Sequence, residues 1–444
     1  VVGVEKKMRK KVRRLIILTF GLIMAGSFFF APGPAKALPA AATTKLENGL
    51  HIILKPVPSA TSVALVVLFD IGEDQDPAGS SGLAHLVEHI YLTAAAGSRR
   101  SRNFEEFVSS YPLGWNAQTG SDYTVLATVF TPGNIEAELA EAAARLKGLH
   151  VAENDLNREK PRVIMELRNM YAGLPALAGL NNGRELVRPS PNGGRKGGRE
   201  NEVAAITLAQ IRDRLSTFYK PANATLVLAG SFVEKKTRSL VERLFVDIPR
   251  GKESPEIPPG KKPLQKTARQ LELRCDRPGA GPLAFLVFRA PGPKDPLYPA
   301  FLLLASRLTT RAWKLGAGSL TLHFAPLDDP EVLGISTAFR TGETGKAAVA
   351  RLREFVRVSI RQPKGPADVL AAKNVFGFFL GFPGFPEAAF SQNLYGLAFS
   401  LARRQQLDID GIRLRNMIEK VSREDFSSAS RLFEDKNSAA VIAK

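Results

Sequence analysis

Apolar and polar positions along this chain follow two rhythms, and their order sketches a fold. Leu46-Glu47-Asn48-Gly49-Leu50 reads as a turn with Asn-Gly at its tip, followed by strands at 51–54 and 62–69. Gly79-Ser80-Ser81-Gly82 predicts a loop and a helix starts at about Leu83. A short helix is expected at 104–109, a strand over 116–129, and helices with charged faces at 135–149 and 153–171. The stretch 179–200 is rich in Gly, Asn, Arg and Pro, with Gly193-Gly194 and Gly197-Gly198, and predicts a long surface loop. Helix 208–218, strand 224–230 and helix 237–244 complete this part.

A Pro-rich, charged run from Arg250 to Pro263 interrupts the pattern, which then restarts. A strand at 283–288, a helix at 299–308, strands at 320–324 and 331–338 and a helix at 345–360 follow. Two α/β halves of similar size and order imply an internal duplication. The expected division is a first domain at 43–250, a linker at 251–268 and a second domain at 269–444. A length of 444 residues agrees, being more than one hydrophobic core ordinarily organises.

The first 37 residues fit neither half. Met8–Arg14 is basic, 15–30 is apolar apart from Thr19 and Ser27, and Ala35-Lys36-Ala37 follows. This is the order of a secretory signal peptide, with cleavage expected after Ala37 and export, to the periplasm, as the consequence. The alternative is an uncleaved anchor in the inner membrane, although 16 apolar residues fall short of the ~20 that span a bilayer. The formal charge is +18, and these residues supply seven of it, leaving +11 for the rest. With no zinc knuckle, RNA-recognition signature or basic stripe interleaved with aromatics, that surface does not point to nucleic acid. The lone Cys275 excludes an intrachain disulfide and, beside the strand-like 271–274, is expected in the core.

The chemistry concentrates in Gly82-Leu83-Ala84-His85-Leu86-Val87-Glu88-His89. On a helix His85 and His89 share one face, four residues apart, so both imidazoles reach one ion. Two neutral nitrogens and a carboxylate suit zinc with a position left for water, and Glu88 lies where it can take that water's proton as general base. Two of the chain's five histidines fall in this one turn.

His-x-x-Glu-His is the inverted zinc motif, and the sequence resembles the pitrilysin/insulinase family of metallopeptidases, which includes the mitochondrial processing peptidase. The resemblance implies a third ligand, a glutamate on a later helix about 76 residues past the motif; 76 residues separate His89 from Glu166. It also implies a supporting glutamate seven residues earlier, where Glu159 stands as a partner of the ligands. Asn116-Ala117-Gln118-Thr119 is similar to the family's Asn-Ala-x-Thr edge strand, which pairs with extended substrate; Asn116 and Ala117 are carried over as substrate contacts. The opening hairpin at Leu46–Leu50 and Tyr219-Lys220-Pro221-Ala222-Asn223 also fit.

The implied fold is α+β: two structurally similar domains, each a mostly antiparallel sheet flanked by helices. The implied activity is that of a zinc endopeptidase, with one Zn2+ per chain, hydrolysing extended or unfolded peptides in an enclosed chamber. The second half departs from the family. An arginine and a tyrosine seven apart are expected there, but Thr310 and Ala317 occupy those positions. A second peptidase-like subunit, or a second copy of the chain, is therefore expected to close the chamber. The rival reading is a non-catalytic partner subunit, although such subunits usually lose motif residues.

Overall fold

The computed structural model describes residues 40–190, 195–257, 269–276, 281–315, 320–361, 363–377, 379–382 and 393–444. The expected signal peptide, most of the expected linker, Gly193-Gly194 and Ala317 lie outside them.

The first sheet contains β1 (Ala42–Lys45), β2 (His51–Pro56), β3 (Val63–Phe69), β4 (Trp115–Thr119), β5 (Thr124–Phe130) and β6 (Ala224–Gly230), in the order β1-β2-β6-β3-β5-β4. The second contains β7 (Arg269–Leu273), β8 (Leu283–Arg289), β9 (Thr321–Ala325), β10 (Asp329–Ala338) and β11 (Ser438–Ala443), in the order β9-β10-β8-β11-β7. One neighbouring pair in each sheet is parallel, β2 with β6 and β11 with β7; the others are antiparallel. Reading β7-β11-β8-β10-β9 against β2-β6-β3-β5-β4 gives the same order and the same parallel pair. The duplication expected from the sequence pattern is thus present in the topology.

β3 shows why both faces are covered. All seven of its residues are buried, as a continuous apolar run requires. Val63, Leu65, Val67 and Phe69 point into the core that includes helix α1 (Leu83–Thr93) and helix α2 (Glu153–Arg168). Ala64, Val66 and Leu68 point to the opposite face.

That opposite face is covered by an exchange between the halves. Helix α3 (Pro175–Val187), which precedes the Pro-rich stretch, packs on β8 and β11 of the second sheet through Ala178 and Val187. Helix α4 (Leu394–Leu407), from the second half, packs on β3 and β6 of the first sheet through Leu394, Leu397, Ala398 and Leu401.

Two expectations are corrected here. Residues 179–187 are helix, not surface loop. Gly179 and Gly183 are four apart on one face of α3, and a Cβ would lie 2.1 Å from Phe285 at the first and 2.5 Å from Val287 at the second. These glycines give helix and sheet a close approach; they are not turn residues. Residues 116–129 are not one strand but the hairpin β4–β5, because the Gly120 N–H donates to the Tyr123 carbonyl and reverses the chain. Cys275 is buried as expected. Among the described residues no helix is long and apolar enough to cross a membrane.

Candidate metal centre

α1 owes its place to its first turn. Gly82 caps it with φ 91°, in the left-handed region open to glycine, and a Cβ there would lie 2.5 Å from Val203. The Gly82 and Ala84 N–H groups donate to the two carboxylate oxygens of Asp76 at 2.9 and 3.0 Å, and Arg214 holds that carboxylate at 3.1 Å. A buried acid thus satisfies donors that a helix start leaves free. All eleven residues of α1 are buried, so the helix is locked between the sheet and α2.

Every residue nominated for the metal converges. His85 Nε2 lies 3.3 Å and His89 Nε2 3.5 Å from the same oxygen of Glu166 on α2. One ligand atom from each of His85, His89 and Glu166 lies within 4.8 Å of the others. The imidazoles are buried, whereas the Glu166 side chain is 49% exposed, which leaves the cluster an open side.

The donor chemistry fits a metal. His85 Nδ1 donates to the Gly197 carbonyl at 3.0 Å and His89 Nδ1 lies 3.4 Å from the Glu159 carboxylate. Both partners are acceptors, so each Nδ1 carries a hydrogen and each Nε2 is the atom turned toward Glu166, where it would give its lone pair to a metal in place of a proton. Burial by itself would lower the pKa of both imidazoles. The bonds to Glu166, and for His89 to Glu159, outweigh it: His85 is held above its usual value and His89 is pushed up to about 10. Burial likewise opposes ionisation of Glu166, and the two imidazoles overcome it, holding that carboxyl well below the usual range.

Glu159 sits where the resemblance placed it. It is 1% exposed, and Arg158 and Arg162 lie 3.0 and 3.5 Å from its oxygens. Burial would raise its pKa, but His89 and these arginines lower it, so Glu159 stands as a carboxylate beside His89 Nδ1.

Glu88 is buried and accepts the Thr119 hydroxyl at 2.6 Å. Burial pushes its carboxyl up, and the two imidazoles and Thr119 pull it partly back. A base stronger than an ordinary carboxylate results.

Thr119 ends β4, the edge of the first sheet. The Gly120 N–H bonds Tyr123 and the Gly114 carbonyl accepts from Val129. By antiparallel alternation Asn116 and Gln118 turn their backbone groups inward to β5, and Trp115, Ala117 and Thr119 turn theirs to the open edge. Ala117 packs on the α1 side of the sheet. The Asn116 side chain points to the other face and donates to the Tyr395 hydroxyl at 2.5 Å.

Two residues of the site carry no signal of their own in the sequence. Thr119 stood in the Asn-Ala-x-Thr segment, but its bond to Glu88 joins elements distant in sequence. Gly197 reads in the sequence only as a loop residue. Its φ of 76° and a Cβ that would lie 2.9 Å from Leu167 explain the glycine that brings a backbone carbonyl to His85. Elsewhere, burial lowers the pKa of His323 to about 4 and its Nε2 meets Ser336, so this partly buried histidine is neutral.

Two similar halves and a His-x-x-Glu-His helix beside a glutamate-bearing helix are the plan of the inverted-motif metallopeptidases, and the comparisons point to the same class. Residues 51–173 match the family described as Insulinase (Peptidase family M16), and residues 205–342 match its companion, the Peptidase M16 inactive domain. The chain belongs to peptidase family M16, the pitrilysin/insulinase family. Among curated relatives, the zinc protease PqqE of Helicobacter pylori is 25% identical over 54% of this chain and 54% of its own length. A probable mitochondrial-processing peptidase subunit beta of Arabidopsis thaliana is 22% identical over 47% of this chain and 39% of its own length. The chain thus spans about half the length of the curated relatives it matches. In fold, a protease from Helicobacter pylori superposes with TM-score 0.73 at 20% identity, covering 92% of this chain and 100% of that one. The periplasmic protease PqqL of Escherichia coli superposes with TM-score 0.69 at 17% identity, over 92% of this chain and 48% of that one.

Proposed function

We propose that this protein is an exported zinc endopeptidase that cleaves extended peptides. The observation that carries the reading is the convergence of His85, His89 and Glu166 within 4.8 Å, with Glu88 and an open strand edge beside them. The "inactive" companion match covers 205–342 and contains none of these residues.

His85, His89 and Glu166 would hold one Zn2+, with Glu159 fixing the His89 ring. When bound, the zinc supplies Lewis acidity to the scissile carbonyl and to the attacking water. Trp115, Ala117 and Thr119 offer outward N–H and C=O groups, so a peptide adds to β4 as a further strand. Asn116 contributes from the other face by holding the strand that makes this contact. Glu88 takes the proton of the attacking water and returns it to the leaving amine.

One chain forms one two-domain unit, and a second copy or a second peptidase-like subunit completes an enclosed chamber. The chain superposes on 48% of E. coli PqqL and on 91% of a structure of that protein's first half, so in PqqL a second half of similar length accompanies the matched one. In addition, Thr310 stands where the family's arginine is expected. Export follows from the signal-like residues 1–37 and from the periplasmic description of E. coli PqqL.

The test is to express the chain from Leu38 and measure bound zinc and cleavage of an unstructured peptide library, with Glu88→Gln in parallel. One zinc per chain, and cleavage that falls ~10²–10⁴-fold in Glu88→Gln while zinc is retained, is the expected result. A folded chain that takes up no zinc would overturn the reading in favour of a non-catalytic subunit.

A further inference from the structure

The second half of the chain grips the substrate-binding strand from behind. The side chains of β4 divide between two faces: Ala117 and Thr119 face α1 and the metal helix, while Asn116 and Gln118 face α4 and the loop before β10. On that second face each polar group meets a partner more than 200 residues away. Asn116 donates to the Tyr395 hydroxyl, and Gln118 donates to Asp328 at 2.5 Å. The Tyr123 hydroxyl, in the β4–β5 turn, donates to the same Asp328 oxygen at 2.5 Å. Arg403, fully buried on α4, pairs with Asp122 at 3.1 Å and lies 4.1 Å from the centre of the Tyr123 ring. It also donates to the Leu327 carbonyl, next to Asp328, and Gln406 donates to the Asp122 carbonyl at 2.7 Å.

An edge strand has a ladder on one side only and is free to shift or fray on the other. β4 is such a strand, yet its place decides where Ala117 presents its backbone and where Thr119 meets Glu88. A polar network that joins two elements through several hydrogen bonds at once restricts their relative placement.

We infer that Asp328, Tyr395 and Arg403 are positioning residues for peptide capture: from the second half they hold β4 at the height the metal centre requires. The inference rests on the proposed use of β4 as the substrate strand. Asp328 is the key point because it ties both the strand, through Gln118, and the turn, through Tyr123.

Trp115 on β4 gives a readout that needs no turnover. The chain has two tryptophans, Trp115 and Trp313. In a zinc-loaded Trp313→Phe, Glu88→Gln chain, Trp115 fluorescence reports binding of an unstructured decapeptide. Asp328→Ala is expected to weaken that binding about tenfold at unchanged zinc content, whereas Asp328→Asn, which keeps an acceptor oxygen, costs less than about threefold. Tyr395→Phe removes a single hydroxyl and carries the test should Asp328→Ala not fold, with about threefold weaker binding expected. Peptide affinity unchanged in Asp328→Ala, or in Tyr395→Phe when it carries the test, overturns the inference. Equal weakening in Asp328→Ala and Asp328→Asn together with zinc loss also overturns it, because that marks a fold staple. A parent chain that holds zinc but binds no peptide fails the substrate-strand reading itself, and the inference with it; a parent that binds peptide leaves any failure to the inference alone.

Discussion

Glu159 and His89 face each other across the α1–α2 contact, a carboxylate oxygen 3.4 Å from Nδ1, two helical turns before Glu166. In the proposed site one helix therefore supplies both a metal ligand and the group that orients another. Glu159→Gln keeps the shape and removes the charge. Zinc affinity is expected to fall ~10–100-fold, read by competition with a chromophoric chelator. Affinity within twofold of the parent would show that Glu159 does not orient the ligand.

Thr119 links β4 to Glu88, the proposed general base. Thr119→Val removes its hydroxyl while keeping the β-branched shape. kcat is expected to fall about tenfold with zinc content unchanged, since Glu88 loses the bond that aims it. An unaltered kcat would mean that Glu88 is held by its burial alone.

Ala117 donates to no strand within the sheet, so proline is tolerable there while removing an outward N–H. Ala117→Pro is expected to raise KM for extended peptides about tenfold or more, with thermal stability little changed. Should KM stay the same, peptide does not pair with this edge.

The metal cluster ties α1 to α2, so zinc should stabilise the first half. Stripping it with a chelator is expected to lower Tm by about 5–10 °C, reversibly on adding zinc back. A Tm indifferent to zinc would place the ion elsewhere or nowhere.

Gly183 lets α3 lie against β8, with Val287 2.5 Å from where a Cβ would be. Gly183→Leu is expected to cost ~1–3 kcal/mol in urea unfolding by forcing helix and sheet apart. A neutral result would show that α3 does not pack there in solution.

The histidine pair of the candidate metal site was legible because the chemistry demands close spacing: His85 and His89 one helical turn apart, with Glu88 between them. Glu166 and Glu159 lie on a distant helix, where a carboxylate looks like any solvated charge; only the family spacing picked them out. The duplicated order of strands and helices was legible from periodicity for the same local reason, since a strand or helix writes its own face into neighbouring residues.

What the chain order left open was which distant surfaces meet. Gly179 and Gly183 looked like loop residues because a missing side chain has the same composition whether it frees a turn or admits a neighbour; β8 decides which. Gly197 likewise became a partner of His85 only when α1 lay beside its loop. The sequence by itself determined the metal motif, the two-half plan and the basic, signal-like start, all properties of residues close along the chain. Tertiary structure alone decided the exchange of α3 and α4, the Thr119–Glu88 bond and the grip of Asp328 and Arg403 on β4, because these join residues tens to hundreds of positions apart that only packing brings together.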